Sequence, residues 1–341
     1  MKAPRILIVL MGALGDVVRG LSLVAQIKRA MPEAQVSWLI DSKWKSIVAL
    51  HPQIDEIFEF DRSQPLYSLR VLNASFRKAN FDICLDLQRH FKSGVLCRIS
   101  RAARRIGFHR SDSKEGNWLF QTETIPVWNE KGAKLSQYLK FLSQIGITPT
   151  SDLDFGLSHV TLDTHGASLR EKLPSRYLVF VLGASWQSKR WPIEGYQRVL
   201  EQLKLKPEVG VVLLGDAHSR QEAAVLVKKF PQVIDLLGNT SLPELVAVIH
   251  NAQLCLGPDS GPAHIAAAVK TPYVSLFGPT SAELVAPYGM EAFSISSPVG
   301  CAPCYRRRCP GLGNVCMRLH SPQLVAETIK RASPELATML A

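Results

Sequence analysis

Short apolar runs alternate with helix-period stretches along most of the chain, and the alternation stops once and then restarts. In the first half, strand-like runs fall at Arg5–Leu10, Gln35–Ile40, Ile57–Phe60 and Phe81–Leu87. Helical patterns lie between them at Asp16–Ala30, Lys43–Leu50 and Leu69–Ala79. Strands separated by helices cannot pair through tight hairpins; the crossovers make neighbouring strands parallel, and the helices then cover both faces of the sheet. The stretch Arg110–Thr150 is less regular, with a helical pattern at Lys134–Ile145, and Pro149–Thr164 is rich in Ser, Thr, Asp and Gly. The strand pattern then resumes at Tyr177–Leu182, Gly210–Leu214, Val233–Leu236, Ala252–Leu256 and Tyr273–Phe277. Its helices are Ile193–Leu205, Arg220–Lys229, Leu242–His250 capped by Ser241, Ala263–Val269 and Pro322–Ala332. A length of 341 residues suits two cores rather than one. The fold expected is therefore α/β, with two doubly wound parallel-sheet domains at 1–165 and 166–341, the final helix 322–332 being able to return to the first domain.

Two strand-to-helix turns carry the chemistry. The segment Gly257-Pro-Asp-Ser-Gly-Pro-Ala-His264 joins an apolar run to an alanine-rich helix. Unpaired backbone N–H groups and the positive end of a helix dipole make such a turn a place to hold phosphate. Asp259, Ser260, Gly261 and His264 are its candidate residues; a plain capped turn is the bland alternative. The second turn, Met11-Gly-Ala-Leu-Gly-Asp16, puts a carboxylate beside a helix N-terminus, which favours its ionised form. A reachable, ionised Asp can take a proton from a hydroxyl. After the first strand of the second domain comes Ser185-Trp-Gln-Ser-Lys-Arg-Trp-Pro192, whose Lys189 and Arg190 can neutralise a diphosphate. Phe277-Gly-Pro-Thr280 ends a further strand, and its threonine can bond a phosphate or hold the loop.

The net charge of +11 is unevenly spread: residues 1–150 hold 22 Lys and Arg against 13 Asp and Glu, the remainder 18 against 16. The densest basic run includes Arg89, Lys92, Arg98, Arg101, Arg104, Arg105 and Arg110. Such a surface suits a phosphorylated substrate or an anionic membrane face. Nucleic acid is the weakest partner, because no recognition motif and no basic–aromatic interleaving is present. No apolar run is long enough to span a bilayer, and the N-terminal apolar run reads as a first strand rather than a signal peptide, which points to a cytoplasmic protein.

Cys301, Cys304, Cys309 and Cys316 cluster in one loop with Arg306, Arg307 and Arg308. Four such thiols can bind zinc or an iron–sulfur cluster, or stay reduced; their spacing matches no standard zinc module. Cys84, Cys97 and Cys255 lie in or beside apolar runs and read as core residues.

Together, the Gly15-Asp16-Val-Val turn, Lys189-Arg-Trp-Pro192, the Gly257–His264 segment and Phe277-Gly-Pro-Thr280 resemble the heptosyltransferase family of lipopolysaccharide core assembly, glycosyltransferase family 9. The resemblance spans nearly the whole chain, with the motifs in order. It implies a GT-B fold, two Rossmann-like domains facing each other across a cleft, with acceptor on the first and nucleotide-sugar on the second. The implied reaction is inverting transfer of heptose from ADP-L-glycero-D-manno-heptose to Kdo–lipid A or an already heptosylated core, at the cytoplasmic face of the inner membrane. The resemblance makes Asp16 the base and places Lys189 and Asp259 at the donor, with Glu222 as the acidic donor-site residue after Gly215-Asp216. Ser185, Arg190, Ser260, Gly261, His264 and Thr280 complete that donor set. Gly15, Arg89, Lys92 and Arg110 would meet the anionic acceptor. No cofactor is required by this chemistry, and a structural metal at the Cys301–Cys316 loop stays open.

Two other classes are weighed against this one. An NAD-dependent oxidoreductase needs a full glycine fingerprint, of which Gly12-x-x-Gly15 is only a fragment, although Asp41 could serve a ribose. A non-enzymatic polyanion- or metal-binding module would use the basic face and the cysteine loop without needing Asp16.

Overall fold

The computed structural model describes residues 3–128, 132–311 and 313–340. The chain divides into two units, Met1–Leu157 and Ser158–Ala341. The division falls a few residues before the expected 165/166 boundary, and the contacts explain why. Thr150 N donates to Gln26 Oε1 and Leu153, Phe155 and Leu157 are buried, so this segment finishes the first unit. Ser158 and His159 are exposed, and Leu162 N then donates to Asn251 Oδ1 in the second.

Each unit holds one six-stranded parallel sheet. The first comprises β1 (Arg5–Val9), β2 (Gln35–Asp41), β3 (Glu56–Phe60), β4 (Ile83–Asp86), β5 (Arg104–Gly107) and β6 (Glu123–Thr124), in the order β3-β2-β1-β4-β5-β6. The second comprises β7 (Arg176–Val181), β8 (Val209–Leu214), β9 (Val233–Asp235), β10 (Leu254–Pro258), β11 (Tyr273–Phe277) and β12 (Ser294–Ser296), in the order β12-β11-β10-β7-β8-β9. The two sheets have the same topology. In each, strand order reverses between two adjacent central strands, β1 and β4 in one and β7 and β10 in the other. Loops leaving those strands in opposite directions open a crevice at their carboxyl ends, and ligands bind there in such sheets.

The central strands are nearly continuous apolar runs because both faces are covered; β10 is buried at every position and β1 at all but its first. In the first unit Phe58, Phe76 and Phe81 pack edge to face at 5.1–5.8 Å between ring centroids. The final helix, Pro322–Ala332, belongs to the second unit, where Val325, Ala326, Ile329 and Ala332 join the core built on β7, β8 and β10. Three strands and one longer helix escape the sequence pattern. β5, β6 and β12 are short and polar, and the helix Phe91–Ile99 begins inside the basic run. No helix among the described residues is long and apolar enough to cross a membrane.

Two glycines make the crevices possible. Gly12 has φ +145°, and a Cβ on it would sit 2.8 Å from Trp44 Nε1. Gly215, after β8, has φ +151° and would place a Cβ 2.8 Å from Gly183 N, after β7. Only glycine tolerates that conformation with the chain so close.

Candidate active site

In the first unit, the helix Leu14–Ala30 starts directly after β1 and carries Asp16 in its first turn. One carboxylate oxygen, Oδ1, accepts from Arg19 Nη2 at 2.5 Å and from Lys134 Nζ at 2.6 Å. Arg19 lies one turn along the same helix. Lys134 opens the helix Lys134–Gln144, which packs against it. Burial works against the ionised carboxyl, but the charges of Lys134 and Arg19 outweigh it and hold Asp16 far below the usual carboxylate range. Burial also lowers the proton affinity of Lys134, with Asp16 opposing and Arg19 and Arg89 adding to the effect. Tyr138, buried one turn beyond Lys134, has its hydroxyl pushed upward by burial and by the Asp16 charge.

Arg89 leaves the end of β4 at φ +60°, in the left-handed region, with its guanidinium 5.7 Å from the Phe108 ring centre. Such a conformation costs about 1–3 kcal/mol in a residue other than glycine and persists only when its surroundings enforce it. Asp86, the last residue of β4, does the enforcing. It is fully buried and accepts from Gln88 N and Arg89 N at 3.1 and 3.4 Å. Asn117 Nδ2, Gln121 Nε2 and Ser93 Oγ also donate to it, at 2.6, 3.0 and 3.1 Å. Burial raises its carboxyl above the ordinary value in spite of these donors. Gln88 in turn ties this loop to the Asp16 turn, its Oε1 accepting from Met11 N at 2.9 Å and Gly12 N at 3.2 Å.

Of the other residues singled out for an acceptor, Gly15 adjoins Asp16 in the helix, and Lys92 is exposed in the first turn of Phe91–Ile99. Arg110 is exposed and lies 4.8 Å from the Trp118 ring centre. Part of the basic run is structural: Arg104 forms a fork with Glu123, and Arg105 donates to the carbonyls of Phe120 and Ala102.

In the second unit, Lys189 Nζ donates to Asp259 Oδ2 at 2.6 Å, and Thr280 Oγ1 donates to the same oxygen at 2.8 Å. The loops after β7, β10 and β11 thus meet at one carboxylate. Lys189 also lies 4.6 Å from the Trp186 ring centre. Asp259 and Lys189 are largely buried, with side chains 8% and 12% exposed. Removing one member of such a pair costs about 3–5 kcal/mol. Ser260 is the N-cap of the helix Gly261–Ala268, though its hydroxyl makes no capping bond, and His264 is buried within that helix. Beside this cluster, Ala184, Ser185, Trp186, Gln187, Arg190, Arg307 and Arg308 line a cavity of about 440 Å³. Arg190 is held there by Asp216 at 2.9 Å, whereas Glu222 sits exposed in the first turn of Arg220–Lys229.

The cysteine loop contributes Arg307 and Arg308 to that cavity. Ser188 Oγ and N donate to the carbonyls of Arg306 and Arg307, at 2.6 and 3.2 Å, and Asn314 Nδ2 donates to Gln187 O. All four cysteines are free thiols; Cys316 is buried, and burial, with the other three thiols nearby, raises it above an ordinary thiol. Among the described residues no group of three or more His, Cys, Asp or Glu side chains is placed to hold a metal ion.

Sequence reasoning missed Arg19, Lys134, Tyr138 and Asp86 in the first unit, and Asp216 and Arg307 in the second. Asp86 left one signal, a carboxylate closing an apolar strand. Lys134 left none, since its partner is 118 positions away.

The family described as glycosyltransferase family 9 (heptosyltransferase) matches residues 69–313. The lipopolysaccharide heptosyltransferase 1 of Pseudomonas aeruginosa is 29% identical over 317 residues, covering 89% of this chain and 87% of that protein. Among solved structures, E. coli heptosyltransferase WaaC with ADP aligns at TM-score 0.77 and 21% identity, over 96% of this chain and 99% of the other. E. coli ADP-heptose lps heptosyltransferase II aligns at TM-score 0.78 and 21% identity, over 97% and 99%.

Proposed function

Because the chain belongs to glycosyltransferase family 9, we infer that it transfers heptose from ADP-L-glycero-D-manno-heptose to the lipopolysaccharide inner core, Kdo–lipid A or a heptosylated core. Family membership sets aside the oxidoreductase and the non-enzymatic module. One observation carries the finer reading. At the carboxyl ends of the strands flanking each switch point, the first unit presents an ionised carboxylate among cations, and the second a lysine held by an acid and a threonine.

In this reading the first unit takes the acceptor and the second takes ADP-heptose. Asp16 accepts the acceptor hydroxyl proton as the oxygen bonds to the anomeric carbon. The bond from that carbon to the diphosphate oxygen breaks, its electron pair leaves with ADP, and the configuration inverts. Lys189 and the N–H groups at the start of Gly261–Ala268 meet the negative charge growing on the diphosphate. Ser185 and Arg190, in the cavity beside them, and Ser260, His264 and Thr280 shape the donor site, with Glu222 as its outlying acid. Gly15, Arg89, Lys92 and Arg110 meet the acceptor. In this reading Lys189 and the helix N-terminus meet the diphosphate charge and no step is routed through a metal; an ion on the Cys301–Cys316 loop would act by stiffening the Arg306–Arg308 segment. The basic surface of the first unit suits an anionic acceptor displayed at the cytoplasmic face of the inner membrane, met from the cytoplasm without a spanning helix.

The test is transfer from a panel of ADP- and UDP-sugars onto defined truncated cores, with the anomeric configuration of the product read by NMR. The reading expects ADP-heptose to dominate and the configuration to invert. Retention, or a preference for a UDP-sugar, contradicts it.

A further inference from the structure

A base that must take a proton near neutral pH works best with a pKa near the operating pH. Asp16 at rest is far from that condition. Its Oδ1 carries two cationic donors at once, Arg19 from its own helix and Lys134 from the helix Lys134–Gln144. Arg89, from the loop after β4, adds a third positive charge felt at Lys134, and the Tyr138 hydroxyl completes the surroundings. Among the described residues, the carboxylate thus takes two cationic donors, with Arg89 acting on one of them. The Asp16 and Lys134 side chains remain 19% and 25% exposed and are therefore reachable from solution.

We propose that Lys134 is a positioning residue that latches Asp16 at rest and swings to an anionic group on the acceptor, so that an anionic substrate itself releases the base. This rests on the reading of Asp16 as the proton acceptor.

The two cations are not equivalent. Arg19 is 9% exposed and fixed three residues from Asp16 on one helix, so it orients the carboxylate throughout. Lys134 comes from a different element and carries its ammonium on a flexible stem with three rotatable donors, which suits a change of partner. Arg19 and Arg89 both push on its charge. A carboxylate or phosphate on the acceptor would relieve that repulsion through a charge-assisted hydrogen bond. Once Lys134 has moved, Asp16 loses its strongest opposing charge, and its proton affinity rises as the acceptor hydroxyl arrives. The proton then passes from that hydroxyl to Asp16 while the oxygen bonds to the anomeric carbon and ADP departs. An uncharged acceptor would leave the latch closed and meet a feeble base. The device makes specificity for anionic acceptors a property of the chemical step as well as of binding.

The experiment follows kcat/KM against pH for the wild type, Lys134→Met and Lys134→Arg. Each is given an acceptor oligosaccharide bearing a carboxylate and its methyl ester, with ADP binding measured by calorimetry to establish that each variant is folded. Asp16 acts as the carboxylate, so activity falls as pH drops through its pKa, and a lower pKa places that acid limb lower. In Lys134→Met the limb is expected to move up by about one to three pH units. The preference for the carboxylate over the ester is expected to shrink at least about tenfold. Lys134→Arg keeps the charge and should stay nearer the wild type in both. Should Lys134→Met not fold, Lys134→Gln carries the same expectation. An acid limb that does not move, or an acceptor preference that does not change, overturns the latch. Full turnover by Asp16→Asn would instead remove the reading beneath it; an inactive Asp16→Asn beside an unmoved limb removes the latch alone.

Discussion

The two units share strand order and place their chemistry at equivalent strand ends, yet their electrostatics differ. In the second, Asp259 meets one cation, Lys189, and one neutral donor, Thr280, so the cluster is close to balanced. In the first, Asp16 meets two cations directly, and Arg89 stands behind them. The balanced cluster is largely buried and holds three loops together. The other leaves both members of the Asp16–Lys134 pair partly exposed. The scaffold therefore dictates where functional side chains emerge, and the charge count around each carboxylate decides what it does. Asp16 follows β1, whereas Asp259 follows β10, the counterpart of β4, so the two acids stand on different strands of equivalent switch points.

That contrast can be broken experimentally, most severely at Lys189. Lys189→Ala is expected to lower kcat/KM about 100- to 1,000-fold, as for other lost charge-stabilising donors. It should also lower the melting temperature, because Asp259 stays buried without its cation. Activity loss with unaltered melting would show that the pair adds nothing to folding and that the two clusters differ less than their geometry implies. The next effect belongs to Asp86. Asp86→Ala removes the acceptor shared by Asn117, Gln121, Ser93 and two backbone N–H groups. Denaturant unfolding should show a loss of about 3 kcal/mol, with Arg89 no longer held at its positive φ and acceptor KM rising more than donor KM. A variant of wild-type stability would mean that the buried network does not support the first site. Smallest of all is the response to a chelator, with transfer expected to continue unchanged after exhaustive treatment. A complete loss restored by one metal would give the cysteine loop a part in the chemistry that neither cluster accounts for.

Much of this was legible in the sequence because doubly wound sheets concentrate function at strand-to-helix turns, and such turns announce themselves through glycine, proline and an acid. Asp16, Lys189, Asp259 and Thr280 all sit on turns of that kind. Ser241 was readable as a cap for the same local reason, and it forms a capping box with Glu244. Long-range contacts were not legible. Lys134 opens an amphipathic helix whose pattern reports only which face is buried, and nothing local tells that its ammonium reaches Asp16. Short edge strands were lost for a related reason: Arg104–Gly107 and Glu123–Thr124 carry arginine and glutamate paired across the ladder, so they lack the apolar run that marks a central strand. Glu222 and Asp216 show the limit of spacing arguments. Both follow β8; Asp216 engages Arg190, and Glu222 is exposed in the first turn of the next helix.

The most direct measurement is single-turnover transfer by Asp16→Asn with donor saturating and ADP binding measured on the same sample. The account expects donor binding within about twofold of wild type and transfer slowed at least about 100-fold, the contribution of a positioned base. Transfer at the wild-type rate with donor bound would contradict it, whatever the rest of the site looks like.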